Sequence, residues 1–203
     1  MLRAATVLAD EHGIDALSMR NLAEALDVKA MSLYNHVASK DDVLDGIVDG
    51  AWGEIAVPTA DADWKAGVRA IAISAYETML RHPWAANYYL RTKPGQARLR
   101  YGESLLGCFR SGGFSKELTY HAYHIVESYI TGYTSQVLSF RTIDTQQFED
   151  LAGKFLRGEL AREYPHFTEH AMQHMEPGRE EGSAYELGLD LILDGLERLR
   201  DEA

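Results

Sequence analysis

Three histidines, His166, His170 and His174, stand at successive four-residue steps. On a helix that spacing stacks imidazoles on one face, an arrangement suited to zinc or another divalent ion. His121 and His124 form a second, shorter pair. Glu163 and His166 make a single Glu-x-x-His unit, half of what a di-iron bundle requires. Pro165 interrupts that unit and no second copy occurs, so di-iron chemistry is set aside. The three spaced histidines lie among Glu163, Glu169 and Glu176, which reads as a solvated face. A metal sensor built on His121/His124 or on His166/His170/His174 is kept as the rival reading, and no metal ligand is assigned. Cys108 is the single cysteine, so neither an intrachain disulfide nor a Cys-rich zinc site is available. With Arg110 nearby it could be a redox switch, but a buried core thiol is the expectation. There is no Gly-x-Ser-x-Gly elbow and no Gly-rich phosphate loop behind a strand. No catalytic residue and no cofactor is assigned, and the chain is read as a non-enzyme.

A different constellation suits a polymer. Lys29, Ser32, Tyr34, Asn35 and His36 fall on one side of a short helical segment whose other side carries Leu33 and Val37. Such groups reach phosphates and base edges when a helix N-terminus enters a major groove. The segment, Lys29 to Val37, follows another short helix, Met19 to Leu26, which Ser18 should N-cap. Leu22, Ala23 and Leu26 should face inward, with Val28 plugging the corner at Asp27-Val28. Two short helices around a tight corner are a helix-turn-helix pattern. On pattern alone, a small helical hairpin inside a bundle fits equally well.

The elements that must position these residues are helical throughout. Apolar spacing is mostly three and four, strand-like alternation is nearly absent, and the five prolines fall between helical stretches. Helices are expected over Leu2–His12 (closed by Gly13), Lys40–Glu54 (capped by Ser39), Trp64–Arg81, a piece around Trp84–Leu90, Gln96–Arg110, Lys116–Phe140, Thr145–Glu163, Phe167–Met175 and Ala184–Arg200. The loop from Ala56 to Asp63 is the best internal boundary, giving domains of residues 1–50 and 51–203. In 203 residues the hydrophobic share is 46%, and 20 basic against 31 acidic side chains leave a net charge of −11. An acidic chain of this kind does not coat nucleic acid non-specifically. No run of about 18 apolar residues suggests a membrane span, and Asp10 and Glu11 interrupt any leader core. A cytoplasmic protein is expected.

The stretch from Gly13 to Ala23, GIDALSMRNLA, and that from Ser32 to Lys40, SLYNHVASK, resemble the DNA-binding domain of the tetracycline-repressor (TetR) family of bacterial regulators. A looser resemblance to the C-terminal domain of the tetracycline-repressor subgroup runs through His82-Pro83-Trp84, the turn Gly112 to Ser115, and Glu186 to Leu196. The resemblance implies an all-α protein: an N-terminal helix-turn-helix three-helix domain and a larger C-terminal helical domain for ligand binding and dimerisation. It implies a regulator, read as a repressor, whose partners are a double-stranded pseudo-palindromic operator, a small-molecule effector of apolar or aromatic character, and a second copy of the chain. Position by position, it puts Arg20 within reach of a base edge, and Ala30, Met31 and Ser32 at the variable start of the recognition helix. Lys29 stands beside them, Tyr34 and His36 take phosphate or base contacts, and Lys40 anchors a phosphate. Ser18 and Asn35 complete the DNA-facing set. Two departures stand out: Asp27 occupies a corner where glycine is common, and residues 1–40 carry four basic against five acidic side chains with no basic arm. A shallow salt dependence follows.

Beyond the boundary, Tyr88, Tyr101, Tyr123, His124 and Glu127 are the expected walls of an effector pocket, since tyrosine joins an apolar body to a polar tip. Glu127, if buried, needs a cationic or hydrogen-bonding partner. In the last helix Tyr185, Leu189, Ile192, Leu196 and Leu199 make a stripe, widened by Leu187, Leu191 and Leu193. Gly188 and Gly195, seven residues apart, are expected to admit a partner helix, with Lys116–Phe140 as the second dimer contributor. The helix Lys40–Glu54 is the expected link between head and pocket.

Overall fold

Helical spacing of the apolar residues resolves into helices alone. The computed structural model describes residues 1–59, 63–88, 91–141, 153, 159–174 and 181–202, and every regular element among them is helical. α1 (Leu2–His12) stops at Gly13, whose φ of 80° is open to a residue without a Cβ. A 3-10 turn over Ile14–Ala16 leads to α2 (Met19–Ala25), where Ser18 Oγ accepts from Asn21 N at 3.1 Å. Asp27 then takes φ 52°, and its N–H and that of Val28 return to the carbonyls of Glu24 (3.1 Å) and Ala23 (3.0 Å). This is a Schellman closure with aspartate in glycine's place. The backbone of Val28, not its side chain, therefore seals the corner; the side chain is exposed, contrary to the expected plug. Leu22, Ala23 and Leu33 are buried and Leu26 is half-buried.

The recognition segment is also tighter than its pattern suggests. Regular α3 covers only Ala30–Leu33. Lys29 offers no side-chain cap, and Asn35 and His36 donate back three residues, to Ser32 O at 3.4 Å and Leu33 O at 2.9 Å. The remainder to Val37 is thus a wound-down turn rather than helix. α4 (Lys40–Gly53) begins with a full capping box, in which Asp42 Oδ2 accepts from Ser39 N at 2.9 Å and Ser39 Oγ from Asp42 N at 3.3 Å.

The body is built around α5 (Trp64–Arg81), capped by Asp63 and buried through Val68, Ile71, Ala72, Ala75 and Met79. Around it pack α6 (Pro83–Tyr88), α7 (Gln96–Ser111), α8 (Lys116–Arg141) and α11 (Glu181–Asp201). α9 (Glu159–Glu163) and α10 (Pro165–His174) follow α8 in the chain. Of the expected helix Thr145–Glu163, only Glu159–Glu163 is a described helix; Met175 also lies outside the described residues. Along α5, Lys65 meets Asp194 and Glu197, both at 2.6 Å, while Arg69 meets Asp190 at 2.8 Å and Glu186 at 2.5 Å. This ladder fixes which face of α11 lies against α5.

α11 buries Tyr185, Leu189, Leu193 and Leu196, half-buries Ile192, and leaves Leu199 exposed. The buried stripe is rotated from the expected one, toward Leu193. Gly188 does not wait for a partner helix. The ring of Tyr129 from α8 fills its vacant side, and the Tyr129 hydroxyl donates to Tyr185 O at 2.8 Å. At Gly195 a Cβ would meet nothing within 4 Å among the described residues. Alanine normally improves a helix interior by about 1 kcal/mol over glycine. At position 188 the added methyl would overlap the Tyr129 hydroxyl. We therefore expect Gly188→Ala to lower stability by about 1–3 kcal/mol in urea unfolding, and Tyr129→Phe in that background to restore part of the loss.

Candidate functional site

The outer surface of α2, α3 and the turn after them is the first candidate. Arg20, Lys29, Met31, Ser32, Tyr34, Asn35, His36 and Lys40 are all exposed, with Met31 at 75%, while Leu33 on the same short helix is at 3%. A buried leucine thus fixes the segment and turns its polar neighbours to solvent. Ala30 is half-buried and packs on the core edge. Ser18 is committed to capping α2. Arg20 reaches along its own helix to Glu24 at 3.1 Å, an exposed pair of low strength that a stronger anion can displace. Lys40 opens α4, beside Asp41 and the capping Asp42.

Behind this surface, α4 grips the body through carboxylates. Asp49 accepts from Arg98 N at 2.9 Å and Ala97 N at 3.2 Å, so a side chain of α4 caps the start of α7. One turn earlier Asp45 accepts from Lys93 N at 3.0 Å. Gly95 is obligatory between them, since a Cβ there would overlap the Asp49 carboxylate. A second contact joins three elements: buried His82 places Nδ1 2.8 Å from Asp10 Oδ1 and Nε2 3.2 Å from Glu54 Oε2, and Trp84 Nε1 donates to Asp10 Oδ1 at 2.7 Å. Arg81 also donates to Glu54, at 3.0 Å. None of Asp10, Asp45, Asp49, Glu54 or His82 was selected for a role from the sequence. The four-residue spacing of Asp45 and Asp49 on one helix was the available signal.

The body brings two of the five expected pocket residues together. Tyr101, 2% exposed on α7, donates its hydroxyl to Glu127 Oε1 on α8. Burial pushes the Glu127 carboxyl above the ordinary carboxylate range, and the tyrosine bond opposes that rise. Tyr123 is half-buried close by, its hydroxyl 3.9 Å from where a Cβ on Gly102 would stand. His124 is exposed, edge-on to Tyr120 at 4.5 Å and to Tyr123 at 5.5 Å between centroids. Tyr88 ends α6, with the Arg91 guanidinium 5.5 Å from its ring centre.

An aromatic stack that the sequence reading did not assemble lies at the junction of α5, α8 and α11. Tyr185 stacks on Tyr76 at 4.2 Å and on Tyr129 at 5.3 Å, and Tyr133 stands edge-on to it at 5.2 Å. Burial, with Tyr133 and Tyr76 nearby, pushes the Tyr129 phenol up to about 12. Tyr185 is raised further, by burial first and then by Tyr129, Tyr76 and the charge of Glu127.

A surface groove of about 370 Å³ between α7 and α8 is lined by Glu103, Leu106, Gly107, Arg110, Lys116 and Thr119, none of them a residue selected from the sequence. Among the described residues no group of three or more His, Cys, Asp or Glu side chains is placed to hold a metal, and His121, His166 and His170 are exposed. Burial pushes the Cys108 thiol up, away from the reactive thiolate. No helix among the described residues is long and apolar enough to cross a membrane.

Comparison with known proteins follows this division of the chain. Residues 1–47 match the family "Bacterial regulatory proteins, tetR family" and residues 57–200 match "Tetracyclin repressor-like, C-terminal domain". An HTH-type transcriptional regulator of Saccharopolyspora erythraea is 33% identical over 81% of this chain and 70% of its own length. The class A tetracycline repressor of transposon 1721 from Escherichia coli is 28% identical over 98% of this chain and 90% of its own. Among solved structures, ActR of Streptomyces coelicolor in complex with actinorhodin superposes with a TM-score of 0.76 at 28% identity, over 96% of this chain and 93% of ActR.

The carboxylate cap of α7 yields a direct test. Asp49→Ala removes the acceptor for two N–H groups at a helix start and is expected to cost about 1 kcal/mol. Urea unfolding measures the loss. Asp49→Asn, which keeps an acceptor oxygen, should lose less.

Proposed function

The chain belongs to the tetracycline-repressor (TetR) family of bacterial transcription regulators, and from that premise we propose a homodimeric repressor that grips a pseudo-palindromic operator and releases it when a small molecule enters the body. We take residues 1–50 as the reading head and 51–203 as the effector and dimerisation domain.

The observation that carries this reading is the head's outer surface, where Lys29, Met31, Ser32, Tyr34, Asn35 and His36 are exposed around a buried Leu33. In a complex, Met31 and Ser32 would meet base edges together with Lys29. Tyr34, His36 and Lys40 would meet phosphates, as Asn35 could, and Arg20 would exchange Glu24 for a guanine or a phosphate. Lys40 supports this assignment. A cation in the first turn of a helix opposes the helix dipole, so a phosphate accounts for it better than stability does.

Two heads are needed for specificity, at a spacing of about 34–36 Å or a multiple of it. Exposed leucines on α11 support a partner there: Leu187 is 63% exposed, Leu191 64% and Leu199 51%, close to the open flank of Gly195. A symmetric dimer would cover this face with its own copy, with α8 contributing. ActR, similar along 96% of this chain, is known in complex with actinorhodin, which supports a small-molecule effector here. Here a ligand beside Tyr101 would act on α7, α7 would pull on Asp49, and α4 would carry the displacement to the head. Release requires the ligand to bind the two head arrangements with different affinity.

Selection of random duplex DNA by the purified protein should enrich an inverted repeat, and failure to enrich any sequence with a folded dimer would overturn the reading. On the selected operator, Lys40→Ala should lower affinity and, by removing one phosphate contact from each of two heads, reduce the slope of log affinity against log salt by about 2. Tyr34→Ala should lower affinity with the protein still folded. Unchanged affinity in both variants would remove the contact assignment.

A further inference from the structure

Glu127 is a half-buried acid of the body without a basic partner among the described residues. Its described hydrogen-bond partner is the Tyr101 hydroxyl, and no cation among the described residues faces it. The nearby arginines are turned elsewhere. Arg98, one turn before Tyr101, donates to Thr92 Oγ1 at 3.2 Å and Thr92 O at 3.0 Å, and Arg110 donates to Phe114 O. An unpaired carboxylate taken out of water is costly, so the chain either holds it protonated or reserves it for a positive group from outside.

The surroundings favour the second. Tyr123 is one helical turn before Glu127 on α8, and Tyr101 stands opposite on α7. Tyr185 on α11 lies within electrostatic reach of the carboxylate, and its ring stacks with those of Tyr76 and Tyr129. Tyrosines gathered near an acid make a setting suited to organic cations, which the carboxylate attracts by charge and an accessible ring by its quadrupole. A carboxylate ligand would find repulsion from Glu127 and no compensating guanidinium among the described residues.

We propose that Glu127 is the anchoring acid of the effector site, and that the effector is an organic cation, an ammonium group on an apolar or aromatic body, bound against Tyr101 and Tyr123. This rests on the reading of the body as an effector domain and narrows the ligand class that it accepts. Glu127 sets the charge of the ligand, while the tyrosines receive its body.

Three matched probes test the assignment on the full-length protein: (2-naphthylmethyl)trimethylammonium, its neutral isostere 2-neopentylnaphthalene, and 2-naphthylacetate. Calorimetric or tryptophan-fluorescence titration should find the cation bound about ten-fold or more tighter than the neutral isostere, with the carboxylate weakest. Glu127→Gln keeps the size and an acceptor oxygen, and should bring cation and isostere to within about two-fold of each other. Equal binding of cation and isostere by the unaltered protein overturns the proposal, as does a preference for the carboxylate, which would point to a protonated Glu127 serving as a donor. A cation preference that survives Glu127→Gln, or binding of none of the probes, overturns it too. The unaltered protein's own ranking of the probes keeps the test decisive if the variant fails to fold. Operator selection on the same preparation separates the two readings. An enriched inverted repeat without cation preference removes only the role of Glu127, whereas cation preference without operator selection removes the regulator.

Discussion

Two carboxylates one turn apart on α4 tie this molecule together. Asp45 and Asp49 accept backbone N–H groups from the chain leading into α7. The orphan donors of a helix start need acceptors, and these come from α4, the helix that follows the helix-turn-helix segment. The attachment is directional. It fixes where α7 begins relative to α4, which loose apolar packing alone does not. Gly95 is part of the same constraint, because only a residue without a side chain leaves room for the carboxylate. His82, held between Asp10 and Glu54, supplies a second fixed point across α1, the end of α4 and the start of α6. A head suspended from such points moves when its suspension moves.

The body is organised on a different principle. Aromatic stacking and a half-buried acid occupy its middle, and the exposed ion-pair ladder from α5 to α11 selects a face rather than supplying much energy. Three of its polar groups have definite partners: Tyr185 hydroxyl to Ala72 O at 2.8 Å, Tyr129 hydroxyl to Tyr185 O, Tyr101 to Glu127. Such pairings specify one packing among many that apolar contacts would tolerate.

Much of this was legible in the sequence because it depends on local rules. The Ser18 and Ser39 caps, the stop at Gly13 and the left-handed Asp27 follow from nearest neighbours. The errors arose where a remote neighbour decides. Val28 looked like a plug by hydrophobicity, yet the Schellman closure uses its backbone and exposes its side chain. Gly188 looked like a seat for a partner helix, yet a tyrosine fifty-nine residues earlier in the chain occupies it. Asp49 caps a helix that starts well beyond the linker, and no periodicity announces that. Tyr101 and Glu127 were chosen by residue type, and only tertiary packing shows that they meet while His124 faces solvent.

The bond from the Tyr129 hydroxyl to the Tyr185 carbonyl has a mechanical consequence. It threads one helix into a notch in the other beside Gly188, so α11 cannot slide along α8 without drawing the pin. Shear between packed helices, one of the two common modes of domain motion, would have to break that bond at this junction. A displacement passing from the body to the N-terminal helices would leave this pair of helices together and travel through the contact of α7 with α4.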